Sequence, residues 1–126
     1  MERLFWICLA GAAGTGTRYL IALWAAERFG TGFPFGTLIV NLGGCFLIAA
    51  LMQVAATFMW APTVRTALTV GFLGGLTTYS SFNYETTRLA QEGALDSAAV
   101  NLALTVLGGF AAGWLGLVCA RQLVGR

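Results

Sequence analysis

Three long stretches of this chain carry no charged side chain: Phe29 to Val64, Thr66 to Tyr84, and Ser97 to Ala120. A helix needs about 20 mostly apolar residues to cross a bilayer. Uncharged runs of this length, separated by isolated charges, restrict the chain to membrane helices. Only 10% of its 126 residues are charged and 58% are hydrophobic. Soluble domains carry about 25% charged residues, so this chain lacks the polar surface to remain in water.

The charges and the turn-forming residues set the expected organisation, an all-α membrane protein with one four-span domain over residues 1–126. Helices are predicted at roughly 4–26, 33–57, 64–89 and 96–120. Gly30, Gly32 and Pro34 interrupt the chain between the first two, and Trp60-Ala61-Pro62 precedes the third. Gly93, followed by Asp96 or Ser97 as a helix N-cap, separates the last two. Leu4 to Ala13 resembles a short signal-peptide core, but apolar character resumes beyond Arg18, so a retained first span is expected. Trp6, Trp24 and Trp60 fall near the predicted interfaces, as an aromatic belt would.

Several function classes are excluded at this point. The seven cations are all arginines, scattered singly, and the net charge is only +2, which makes no nucleic-acid patch. The chain has no histidine, so no imidazole can serve a triad or a proton relay. Cys8, Cys45 and Cys119 each sit alone in apolar runs, without the spacing of a disulfide framework or zinc site. Of the five acids, all but Glu85 lie near span ends, which argues against an enzyme.

Orientation is weakly encoded. With four spans, Arg3, Arg65, Arg121 and Arg126 share one side, and Arg28 and Arg88 the other. The positive-inside rule gives little preference, so a single orientation and insertion both ways up as an antiparallel homodimer stand at comparable weight. Gly109 and Gly113, with Ala112 and Gly116, form one small-residue face, and Gly11, Gly14 and Gly16 another. Such faces let helices approach closely, within a subunit or between subunits. Four helices alone leave little room for a water-filled path, which favours at least a dimer.

The most informative segment is Gly71 to Glu85, where glycines, hydroxyls and aromatics interrupt the third apolar run. Irregular polar backbone survives at membrane depth only where protein buries it or it lines a wet cavity. Gly74-Gly75 before Thr77-Thr78 predicts a helix break, and an unwound turn offers carbonyls that coordinate cations such as Na⁺. Thr37 and Asn41 lie one turn apart on helix two, Asn101 and Thr105 on helix four. Helix three adds Thr77, Thr78, Ser80, Ser81 and Asn83. These neutral donors can replace the water shell of a small anion, or simply tie helices together at about 0.6 kcal/mol each. Tyr79 and Phe82 share a face, and their electropositive ring edges can line an anion path or merely pack. Arg18 either snorkels to the interface or draws anions into a vestibule, and Glu85 is its counter-charge or a plain helix-end residue.

At these residues the chain resembles the Fluc, or CrcB, fluoride channel family over essentially its whole length. The resemblance is carried by Arg18 late in helix one, Gly36-Thr37…Asn41 in helix two, and the string from Gly71 to Phe82 in helix three. It implies a fluoride-selective channel that exports cytoplasmic fluoride passively from a bacterial inner membrane, as a dual-topology antiparallel homodimer with two pores. It further implies a structural Na⁺ at the dimer centre, held by backbone carbonyls of Gly74 and Thr77. The pore residues it implies are Asn41, Tyr79, Phe82, Ser80, Ser81, Thr105 and Thr37, with Arg18 and Glu85 in the vestibule. Two departures stand out. Tyr79 replaces a frequent Phe, and Asn101 and Gly109 stand where other members carry Tyr and Ser.

Two rival readings remain. A small multidrug-type proton-coupled exporter also has four short spans, but it needs a buried carboxylate in helix one, and none lies between Leu4 and Ala26. A non-transporting assembly subunit is the other; it predicts that fluoride tolerance survives substitution of Asn41 or Phe82.

Overall fold

The computed structural model of the chain describes residues 1–125. Arg126, counted above among the positive charges, lies outside the described residues. Among those described, the chain is all helical and contains no strand. In chain order the elements are α1 (Glu2–Phe29), α2 (Phe35–Thr57), α3 (Pro62–Thr66), a π-helical segment (Ala67–Leu73), α4 (Gly74–Leu76), α5 (Tyr79–Gln91) and α6 (Leu95–Val124). Helices α1, α2 and α6 are each long and apolar enough to cross a membrane.

The remaining stretch is more irregular than the sequence suggests. Helical dihedrals continue without a stop from α3 through the π-helical segment into α4, and the chain then opens at Thr77 and Thr78. Near the π segment, the Thr66 and Thr69 hydroxyls donate to the Pro62 and Arg65 carbonyls at 2.8 and 2.9 Å. Such back-bonding competes with the regular helical ladder. Wide π turns recur at functional sites, and no residue pattern announced this one.

Helix ends differ modestly from expectation. Helix α1 runs three residues past Ala26 to Phe29, where Gly30, at φ 81°, turns the chain. Helix α6 starts at Leu95 with Ala94 as its N-cap and no side-chain cap, so neither Asp96 nor Ser97 fills that role. The Gly93 turn, also at φ 81°, brings Ala94 directly into the first helical bond, Ala98 N–H to the Ala94 carbonyl at 3.0 Å. Asp96 is left in the first turn, where its charge complements the helix dipole.

Both small-residue faces pack within the chain. A Cβ on Gly14 would run into the Phe72 carbonyl. One on Gly75 would come within 2.5 Å of the Gly11 carbonyl, and one on Gly71 within 2.7 Å of the Ile7 carbonyl. Helix α1 therefore lies backbone to backbone against the π segment and α4. Gly116 lets α6 meet α2 in the same way, since a Cβ there would strike the Phe46 carbonyl. Gly16 meets nothing within 4 Å and takes no part in the seam. Between the seams, Val40, Leu73 and Leu76 form the buried apolar core. Cys8, Cys45 and Cys119 are free thiols.

Candidate functional site

The break between α4 and α5 organises the polar residues. Thr77 (φ −85°, ψ 155°) and Thr78 (φ −152°, ψ 114°) are extended, so Thr78 cannot join the helical ladder. Asn41 on α2 supplies what the ladder loses. Its Oδ1 accepts from the Thr78 N–H at 2.8 Å, and its Nδ2 donates to the Thr78 carbonyl at 3.0 Å. Both residues are buried, Asn41 at 9% and Thr78 at 8% exposure, where an unpaired amide would be costly. Gly44, one turn along α2, makes room for the Thr77 methyl, which a Cβ at that position would strike.

The two ends of the break are closed locally. The Thr77 N–H and hydroxyl both donate to the Leu73 carbonyl, at 3.0 and 2.9 Å. Thr78 caps α5, its Oγ1 accepting from the Ser81 N–H at 3.2 Å. The same oxygen lies 3.2 Å from the Ser80 hydroxyl and donates to Ser81 Oγ at 3.1 Å. Among the described residues, nothing donates a hydrogen bond across the break to the Gly74 or Thr77 carbonyl. No cluster of His, Cys, Asp or Glu among the described residues could hold a metal. The donor set on offer here is neutral carbonyl oxygen, which suits a hard cation.

The first turn of α5 divides its side chains between two recesses. An apolar groove of about 730 Å³ along α2 and α6 is lined by Asn41, Gly74, Thr77, Tyr79, Phe82 and Thr105, with Phe110 and Trp114 at its wall. The Tyr79 and Phe82 rings meet edge to face, centroids 5.5 Å apart. The Thr105 hydroxyl is buried and has no hydrogen-bond partner among the described residues. A smaller cleft of about 460 Å³ under the α1–α2 turn takes Thr37, Ser80, Ser81, Tyr84, Glu85 and Arg88. There the Thr37 hydroxyl donates to Glu85 Oε1 at 2.8 Å, and Glu85 Oε2 has no partner among the described residues. The Thr78–Ser80–Ser81 hydroxyl cluster links the two recesses.

Asn101 does something else. It is 1% exposed and donates through Nδ2 to Thr86 Oγ1 at 2.8 Å, while the Thr86 hydroxyl donates to the Phe82 carbonyl at 2.7 Å. It therefore ties α6 to α5 just below the groove. Thr105 and Gly109, farther along α6, face the groove itself.

The family model described as "CrcB-like protein, Camphor Resistance (CrcB)" matches residues 5–117. The chain belongs to the CrcB family. It is 49% identical, over 98% of both chains, to the fluoride-specific ion channel FluC of Sorangium cellulosum. Identity to the protein of the same name from Anaeromyxobacter dehalogenans is 47%, over 99% of this chain and 100% of the relative. For that of Citrifermentans bemidjiense it is 46%, over 98% and 100%.

Placed on this CrcB fold, the residues named from sequence divide into three groups. Asn41, Tyr79, Phe82, Thr105, Gly74 and Thr77 gather on the groove, and Thr37, Ser80, Ser81 and Glu85 on the cleft. Arg18, half-buried on α1, lines neither. Glu85 forms no ion pair with Arg18; the salt bridge found among the described residues joins Arg88 to Glu92 at 3.7 Å, a partly exposed pair worth little. The spacing of Thr37 and Asn41 put them on one helix face, yet they open into different recesses. The sequence pattern placed Thr78 at the break and among the neutral donors but not as the cap of α5 or the partner of Asn41, although it is the hub of the break. The Thr-x-x-Ser spacing of Thr78 and Ser81 ahead of α5 was the available signal, since a hydroxyl N-cap bonds the amide three residues on.

Proposed function

We propose that this chain is a fluoride-selective channel that lets cytoplasmic fluoride leave the cell passively. The observation that carries the reading is identity of 49%, 47% and 46%, over nearly full length, to proteins named fluoride-specific ion channels. Fluoride entering acidic surroundings as neutral HF dissociates in the cytoplasm and is trapped, and a selective pore relieves that trap and protects the cell.

The chemistry around the break supports this. Taking an anion out of water is expensive unless hydrogen bonds replace the lost water. Asn41 spends one Nδ2 hydrogen on Thr78 and keeps the second. The Thr105 hydroxyl has no partner among the described residues, and Tyr79 and Phe82 line the same groove. Ser80 and Ser81 carry the track into the cleft, which Glu85 also lines, and Arg18, outside both recesses, adds its charge to the field of the vestibule. The Thr37 hydroxyl already donates its hydrogen bond to Glu85, so it serves an anion only when it turns away from that carboxylate. Selectivity over chloride follows from a narrow path whose donors match the small ion.

In this reading α3 to α5 form the third, broken crossing of a four-span unit. A second copy inserted the other way up covers the groove, giving an antiparallel dual-topology homodimer with two pores. The residues on its floor and wall fit that role: Tyr79, Phe110 and Trp114 are 75%, 79% and 66% exposed in the single chain. The Gly74 and Thr77 carbonyls of both copies would then hold a structural Na⁺ at the centre. When bound, that ion supplies positive charge that gathers four carbonyl oxygens in one place.

Ion efflux from liposomes carrying the purified protein tests the function. Rapid fluoride loss at a fluoride electrode, little chloride loss at a chloride electrode, and slowing by Phe82→Ile are expected. Well-folded dimers that pass no fluoride would sink the reading. Reporter fusions at both termini, active on both sides of the membrane, test the dual insertion.

A further inference from the structure

In an unbroken helix the Thr78 N–H would donate to the carbonyl four residues earlier, that of Gly74. Asn41 Oδ1 takes this N–H instead, at 2.8 Å, and Nδ2 holds the Thr78 carbonyl on the other side at 3.0 Å. The paired bonds resemble one rung of a β-ladder made by a side chain, and they match the extended dihedrals of Thr78. We infer that Asn41 is the positioning residue of the cation site: by occupying the Thr78 amide from α2, it keeps the Gly74 carbonyl from being recaptured by its own helix. This rests on the sodium reading given above and adds a residue to it that does not touch the ion.

Three observations favour this over simple interhelical glue. The Asn41 carboxamide bonds to backbone on both sides of Thr78, at the one residue whose amide matters for Gly74. Gly44 removes the side chain that would hold α2 away from Thr77, so the close approach is built in. Thr77 satisfies itself on Leu73, which leaves Thr78 as the amide whose partner decides whether the break closes. Asn41 also lines the groove, so one side chain links the anion path to the cation site.

The test is melting of the purified protein in detergent, in sodium chloride and in matched choline chloride. A ligand that binds only the folded state raises its stability, so the wild-type midpoint rises with sodium. Asn41→Leu fills similar volume without hydrogen bonds, and it loses the sodium-dependent rise. Asn41→Asp keeps an oxygen for the Thr78 N–H and retains the rise. Thr86→Val, which cuts the Asn101 tether, melts lower in both salts but keeps the rise, separating general weakening from loss of the site. A full sodium response in Asn41→Leu overturns the inference and leaves the sodium reading standing. If Asn41→Leu does not fold, Asn41→Asp decides, since a folded Asp variant without the response overturns it equally. A wild-type protein indifferent to sodium overturns both.

Discussion

Gly74 and Gly75 are neighbours in sequence and sit in opposite kinds of environment. Gly75 belongs to the seam against α1, where a Cβ would press within 2.5 Å of the Gly11 carbonyl. Gly74 faces the groove, where a Cβ would meet only the Thr69 carbonyl at 3.9 Å. The seam stays helical in its dihedrals and uses glycine to bring backbones together. The break gives up helical bonds and recovers one of them through Asn41. The same residue type thus serves packing at one position and exposure of a carbonyl at the next. Which it does is set by the helix across from it, not by the glycine.

The sharpest way to test this contrast is to add side chains to each member of the pair. Gly75→Val forces atoms into the α1 backbone, which cannot move as a side-chain tip can. It should cost more than the about 1–3 kcal/mol typical of overpacking, and no monodisperse protein should be recovered by size exclusion. Gly74→Ala leaves the fold of the single chain intact, with an ordinary far-ultraviolet helical spectrum. Under the proposed assembly it crowds the centre, so the sodium-dependent rise in melting midpoint and the dimer fraction both fall. A Gly74→Ala protein that fails to fold at all would erase the distinction between seam and break.

Smaller effects separate the polar groups that tie helices from those that line the groove. Asn101→Leu removes a buried interhelical hydrogen bond, worth about 0.6 kcal/mol on average in membrane proteins and about 1.7 kcal/mol at most. The melting midpoint should fall by a matching amount, with fluoride-to-chloride selectivity unchanged. Thr105→Val removes a hydroxyl that has no partner, so stability should stay within about 0.5 kcal/mol. Fluoride efflux from liposomes should nonetheless slow severalfold. An unchanged efflux rate would take Thr105 off the anion path and leave it as helix filler.

Much of this molecule was legible before any coordinates. Uncharged runs and turn residues located the helices to within a few residues, because charge is excluded from hydrocarbon and Gly and Pro end helices for steric reasons. The string from Gly71 to Phe82 marked where the third run would be irregular. The α6 cap was misread because a positive-φ glycine can start a helix without a side-chain cap, and Asp96 and Ser97 look like caps in any sequence. The π-helical segment left no signal, since Thr69, Val70 and Gly71 are weak helix formers that sit equally well in any buried apolar helix.

What the sequence determined alone was the chemistry available: an apolar, histidine-free chain with a few neutral donors concentrated in its third run. What only the tertiary structure decided was the pairing of those groups. Asn41 and Thr78 lie 37 residues apart, and Asn101 and Thr86 meet across two helices. Helical periodicity fixes the face a side chain occupies, but not which neighbour faces it. That depends on how closely the backbones approach, as at Gly44, where a Cβ would strike the Thr77 methyl.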